Sequence, residues 1–152
     1  MKPSVGRAIF GGLFGTVLIT FMMYFMAPMM VGKPMDIAAL LGKMLGDNWT
    51  MGMVMHFVNG TFIFPLIYAL ALYPALAGKP WVRGALWGLT LWFLSQALVM
   101  PMMGGGFFSS RMGGMMAAIG SLMGHVVYGA VLGGNTGGQV SNVPETGLPL
   151  AA

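Results

Sequence analysis

Residues 8–30, 51–76, 84–103 and 112–132 each run for about 20 positions or more without a charged side chain. A hydrocarbon core of about 30 Å is crossed by about 20 helical residues, so each run is long enough to span a bilayer. Lipid cannot satisfy an exposed backbone, which leaves only helices or closed barrels, and these runs lack the alternating ten-residue segments of a barrel strand. Charged residues make up only 7% of the chain, against about a quarter in a soluble domain. The expected fold is an all-α membrane protein, with a four-helix transmembrane bundle over residues 1–132. Residues 133–152, rich in Gly, Asn, Thr, Gln, Ser and Pro, read as a flexible polar tail.

Four spans place both termini on one side. Lys2, Arg7, Lys79 and Arg83 fall on that side, and Lys33, Lys43 and Arg111 on the other, where Asp36 and Asp47 dilute them. The bias of basic residues makes both termini cytoplasmic, with Trp49 and Trp81 suited to the interfacial belts. The net charge of +4 is thus spent on topology and is no nucleic-acid footprint. A signal peptide over residues 1–27 is the competing reading of the first run, but the run is long for one and no small-x-small site follows it.

The polar inventory excludes much chemistry. There is no cysteine, hence no disulfide, thiolate metal site or thiol nucleophile, and the three acids, Asp36, Asp47 and Glu145, all lie outside the apolar runs. Paired-carboxylate catalysis, carboxylate proton relays and hard-cation cages at membrane depth are disfavoured, and the chain reads as no enzyme.

The two halves repeat the same landmarks. The first carries Arg7, Gly12-Leu13, Ala27-Pro28-Met29-Met30 and His56-Phe57-Val58-Asn59-Gly60. The second carries Arg83, Gly88-Leu89, Met100-Pro101-Met102-Met103 and His125-Val126-Val127-Tyr128-Gly129. Both halves start on the same side, so the implied relation is a parallel repeat of two hairpins about an axis along the membrane normal. Their connections differ. Residues 34–46 open with a proline and an acid and close on a glycine, signals of a short helix lying in the outer interface, whereas 104–111 is a glycine-rich loop. Gly-x-x-x-Gly pairs at 11/15, 84/88, 120/124 and 129/133 let helices approach closely. Asn48-Trp49-Thr50 fits a glycosylation sequon, but beside the membrane it is read as chance.

Polar side chains at membrane depth are costly and so are functional suspects. At 1.5 Å per residue from the outer ends, His56 and Gln96 lie about 10 Å deep, Asn59 about 14 Å and His125 about 18 Å. His56, Asn59 and Gly60 share one helix face, and Ser121, His125, Tyr128 and Gly129 another. The bland reading makes both histidines docking contacts between hairpins; the alternative makes them ligands. Methionine is the second anomaly, since 17 of 18 fall between Met22 and Met55 or between Met100 and Met123, all toward the outer side. Thioethers select Cu(I), and Met51, Met53, Met55 and His56, with Met26, Met29, Met30, Met100, Met102 and Met103, are the candidate metal ligands. Against this, methionine also fills irregular gaps and makes adaptable partner surfaces. A third reading has His56 and His125 hold a b-type haem, with Lys33, Lys43 or Arg111 on its propionates; the depth difference of about 8 Å weighs against simple coplanar ligation.

The flanking arginines, the His-x-x-x-Gly spans, Tyr73-Pro74 before the short inner loop, and the closing His-Val-Val-Tyr-Gly-Ala-Val-Leu-Gly of residues 125–133 resemble a group of small bacterial four-span proteins classed as a domain of unknown function. The resemblance covers about residues 5–133, the closing motif being its most specific part, and implies a bacterial inner-membrane protein without implying an activity. The methionine excess departs from that group's pattern. The leading expectation is a non-enzymatic accessory or structural subunit packed, beside lipid, against other membrane subunits of a respiratory or copper/haem oxygenase type of complex. A Cu(I)-binding or copper-delivery protein comes second, a b-haem bundle third, and a solute channel last.

Overall fold

The computed structural model describes residues 3–137. Its path is α1 (Val5–Val31), a connecting helix α2 (Ile37–Lys43), α3 (Trp49–Leu72), α4 (Pro80–Met102), a single 3₁₀ turn at Phe107–Ser109, and α5 (Gly114–Thr136). Four of these helices, α1, α3, α4 and α5, are long and apolar enough to cross a membrane. The last runs four residues past its expected end at 132, and Gly133 and Thr136 are buried in it; residues 138–152 of the expected tail lie outside the described residues. The glycine-rich connection at 104–111 turns inward through Gly106, Phe108 and Ser109, all at positive φ, and Ser109 is fully buried.

Three of the spans are not α-helical throughout. Each contains one or two five-residue π segments, at Met22–Met26, Asn59–Ile63, Tyr68–Leu72 and Ser95–Val99. Every one begins six residues ahead of a proline: Pro28, Pro65, Pro74 and Pro101. The cause is steric and electrostatic together. A proline within a helix has no amide to donate and its ring crowds the carbonyl one turn back. Widening the preceding turn moves that carbonyl aside, so Ala27, Phe64, Tyr73 and Met100 donate five residues back, to Met22, Asn59, Tyr68 and Ser95. α5 contains no proline and stays α-helical from end to end.

The widened turns release carbonyls that lipid cannot satisfy. With Phe64 bonded to Asn59 and Pro65 lacking an amide, the Gly60 carbonyl loses its helix donor, and the Tyr128 hydroxyl donates to it at 2.7 Å. Near Pro28 the released carbonyl is that of Met23, and the Met35 amide donates to it at 3.1 Å.

Glycines set the helix pairing. A side chain on Gly84 would meet the Gly129 carbonyl, one on Gly88 the His125 carbonyl, and one on Gly129 the Gly84 carbonyl, so α4 and α5 lie backbone on backbone. α1 packs on α5 and on the middle of α3, where Gly12 faces Pro65 and the Gly60 carbonyl. Around the end carrying the termini the bundle is solid, with Ala8, Tyr68, Tyr73, Trp87, Leu91 and Leu132 in one cluster. α3 and α4 meet there, Phe64 edge-on to Trp87 at 6.5 Å and residues 68–72 against α4, and part toward the other end.

α2 covers that other end. Its Leu40 and Leu41 are buried against Met100 and Met103, and it packs on the start of α3, where Gly52 admits the Ala38 carbonyl. Asp36 caps it by accepting from the Ala39 amide at 2.9 Å, as an N-cap carboxylate does. The same carboxylate accepts from the Tyr24 hydroxyl at 2.7 Å and from Trp49 Nε1 at 3.0 and 3.1 Å, and so ties α1, α2 and α3 together. Partial burial pushes its pKa up, but these donors outweigh burial and hold it below the ordinary 3.8. A depressed carboxylate pKa means that the hub's contribution is complete above the ordinary carboxylate range and is lost as pH falls through the depressed value. Asp36→Asn is therefore expected to lower the thermal midpoint by a constant margin above about pH 4, a margin that closes in stronger acid; a margin independent of pH throughout would show that the charge is not what the hub uses.

Candidate binding cavity and its two histidines

Where α3 and α4 part, the helices enclose a cavity of about 470 Å³, within the range of about 300–1,000 Å³ typical of small-molecule sites. Its lining runs from Lys33, Pro34 and Met35 beside α2 at one end to Thr16, Leu91 and Tyr128 at the other. Three of the four π segments contribute lining residues, through Met22, Met23 and Met26, through Asn59 and Gly60, and through Ser95, Gln96 and Val99. The wall is mostly apolar, and much of it is sulfur: twelve of the methionines line it, contributed by α1, α3, α4, α5 and both long connections.

Of the ten candidate metal ligands, Met26, Met30, Met55, His56, Met100, Met102 and Met103 line this cavity, Met102 at its exposed rim. Met29, Met51 and Met53 do not: Met29 is 86% exposed, Met51 sits a turn nearer the helix start, and Met53 falls about 200° round the helix from Met51 and Met55. The Met-x-Met spacing thus splits between faces. All the polar interior candidates, Asn59, Gln96, Ser121, Tyr128 and both histidines, line the same space. His56 stands on α3 and His125 on α5, and both rings line the one cavity.

Hydrogen bonds hold each ring. Thr20, one turn from Thr16 on α1, donates to the Thr16 carbonyl at 2.6 Å and lies 3.0 Å from His56 Nε2. His125 Nδ1 lies 2.8 Å from the Ser121 carbonyl and 3.3 Å from its hydroxyl. The second ring belongs to a longer chain. Ser109 Oγ donates to Gln96 Oε1 at 2.7 Å, and Gln96 Nε2 donates to Ser121 Oγ at 3.2 Å, so the inward-turned 3₁₀ loop is tied to α4 and α5 beside His125. Sequence reasoning missed Thr20 and Ser109. Both are hydroxyls in apolar surroundings, which is a signal of a kind, but neither stands near its partner in the chain.

Among the described residues no carboxylate lines the cavity, and Lys33 is the one lysine or arginine that does. Among the described residues no group of three or more His, Cys, Asp or Glu side chains comes together to hold a metal ion; any metal here would rest on imidazole and thioether. Residues 3–143 match the family described as Family of unknown function (DUF6789). No curated protein and no solved structure matches the chain.

Proposed function

We propose that this chain, which belongs to the DUF6789 family over almost all its length, is a non-enzymatic binding subunit that holds a small apolar ligand or cofactor within the membrane. The observation that carries the reading is the cavity of about 470 Å³ between diverging helices, with both membrane-depth histidines on its lining. It also accounts for the one-sided methionines, since flexible thioethers make an adaptable apolar wall. In this reading the bundle sits in a bacterial inner membrane with both termini cytoplasmic, the cavity opens outward, and the chain associates with a larger membrane complex that uses what the cavity holds.

The same reading takes the two hairpins as a parallel repeat. Pro28 and Pro101 follow π segments at the same offset, and the glycine four residues after each histidine, Gly60 or Gly129, receives the neighbouring span. These likenesses support common hairpins that diverged where α3 and α4 open the cavity.

A cavity-filling variant tests the proposal. A side chain on Gly120 would come no nearer than 3.8 Å to the Met30 sulfur and 3.9 Å to that of Met35, so Gly120→Leu enters the cavity without striking backbone. In native mass spectrometry of protein released gently from its own membranes, the wild type is expected to retain a small molecule that Gly120→Leu has lost. Identical retained species in both would refute the binding role, and a solitary chain at native expression would refute the subunit role.

A further inference from the structure

We infer that His56 and His125 are paired ligands for a metal centre of low net charge, either Cu(I) itself or an iron whose charge a macrocycle already neutralises; this rests on the binding reading of the cavity. The geometry of the two rings points to it. Thr20 commits its only proton to the Thr16 carbonyl at 2.6 Å, so toward His56 it is an acceptor, and the Nε2 beside it at 3.0 Å carries the hydrogen. The lone pair of His56 is therefore on Nδ1. The Ser121 carbonyl can only accept, so His125 Nδ1, 2.8 Å away, carries the hydrogen and the lone pair is on Nε2. Each ring is oriented by one donated hydrogen bond and keeps an unshared lone pair on its other nitrogen, the arrangement that metal-binding imidazoles have.

The tautomers also select the ligand. Two acceptor nitrogens have nothing to donate to a carbonyl-bearing apolar molecule, whereas a Lewis acid needs lone pairs. Charge narrows the choice further. With no carboxylate among the described lining residues and no cysteine in the chain, a bare dication would keep its full charge in an apolar interior at a prohibitive cost. A monovalent ion, or a metal within a dianionic macrocycle, avoids that cost. The walls agree with both. Met55, Met100, Met103 and Met112 pack in one cluster under α2, a thioether approach suited to Cu(I), while imidazole and thioether would also hold a haem iron, whose carboxylates Lys33 at the α2 end of the lining would meet.

The test uses the full chain in lipid nanodiscs, offered Cu(I) from a chromophoric chelator and, separately, ferrous haem. The expected result is uptake of one of them with about one metal centre per chain, and X-ray absorption at the metal edge with two imidazole nitrogens in the coordination shell. Copper taken and haem refused identifies the ion; a Soret band that shifts on binding identifies the macrocycle. Thr20→Val, which removes the orienting acceptor and leaves both rings, is expected to weaken binding about 10–100-fold, and His56→Leu or His125→Leu by at least that. The absorption spectrum needs no variant and so is independent of whether these fold. Refusal of both probes, a shell without imidazole, or equal uptake of Zn(II) would overturn the inference. Refusal of both metals together with a wild-type ligand lost in Gly120→Leu would leave the binding subunit standing without its metal, whereas refusal with no such difference would remove both.

Discussion

Gly129→Leu is expected to separate α5 from α4 and to lower the stability of the bundle by more than about 3 kcal/mol, beyond the usual range for overpacking. The size follows from what the new side chain meets. Its Cβ would strike the Gly84 carbonyl and come within 2.8 Å of the Gly88 amide nitrogen and 2.9 Å of the Gly88 Cα. These are backbone atoms of a helix and cannot turn aside as a side chain can. The helices must move apart, and a hydrophobic drive will not pull them back, because lipid tails are as apolar as the protein surface; packing contact holds such pairs together. Gly133, whose Cβ would meet the Pro80 carbonyl and lie 2.7 Å from Gly84 Cα and N, belongs to the same seam. Gly134 is the control, with nothing within 4 Å of an added Cβ, and Gly134→Ala should be neutral or stabilising by up to about 1 kcal/mol. Denaturant titration in detergent, followed by the emission of the α4 tryptophans, would register both; a wild-type midpoint for Gly129→Leu would mean that the seam is not what closes the bundle.

Tyr128→Phe is expected to cost about 1–3 kcal/mol, the penalty for leaving a buried acceptor without a donor. The acceptor is the Gly60 carbonyl, released by the π turn ahead of Pro65 and satisfied by the Tyr128 hydroxyl at 2.7 Å. The cause can be isolated by a double-mutant cycle. Pro65→Ala restores an amide, lets the ladder close on its own carbonyls, and so should reduce the cost of Tyr128→Phe to below about 0.5 kcal/mol, a coupling of about 0.5 kcal/mol or more. Additive losses would show that Tyr128 stabilises by ring packing alone. The corresponding carbonyl of Met23 is served by the Met35 backbone amide, and no side-chain substitution should expose it in the same way.

Much of the candidate site could be read in advance as a set of residues, but not as a place. His56, Gln96, Asn59, Ser121, His125 and Tyr128 stand out because polar groups are rare in an uncharged run, and all of them line one cavity. The methionines stand out by their distribution. Which of them share a space depends on the direction each helix face takes after packing: Met55 faces the cavity while Met53, two residues earlier, does not. Thr20 stands 36 residues from His56, and Ser109 13 residues from Gln96, so no local pattern pairs them. The four prolines were plain to see. Their consequence, a wide turn that leaves the Gly60 and Met23 carbonyls to the Tyr128 hydroxyl and the Met35 amide, needs residues outside the helix before it becomes a site of interaction.

The sequence by itself determined the four spans, their order and the short helix between the first two, because span length, charge exclusion and the Pro34, Asp36 and Gly46 signals act locally, through solvent and backbone alone. It also determined where the wide turns occur, since each lies at a fixed distance from a proline that cannot donate. The tertiary structure alone decided that α5 lies backbone on backbone with α4, that α3 and α4 part above Phe64 and Trp87, and that the space so opened receives both histidines and a wall of methionines. Those outcomes depend on which small residues meet across helices far apart in the chain, and in lipid that contact, more than any pattern of hydrophobicity, determines which faces turn inward.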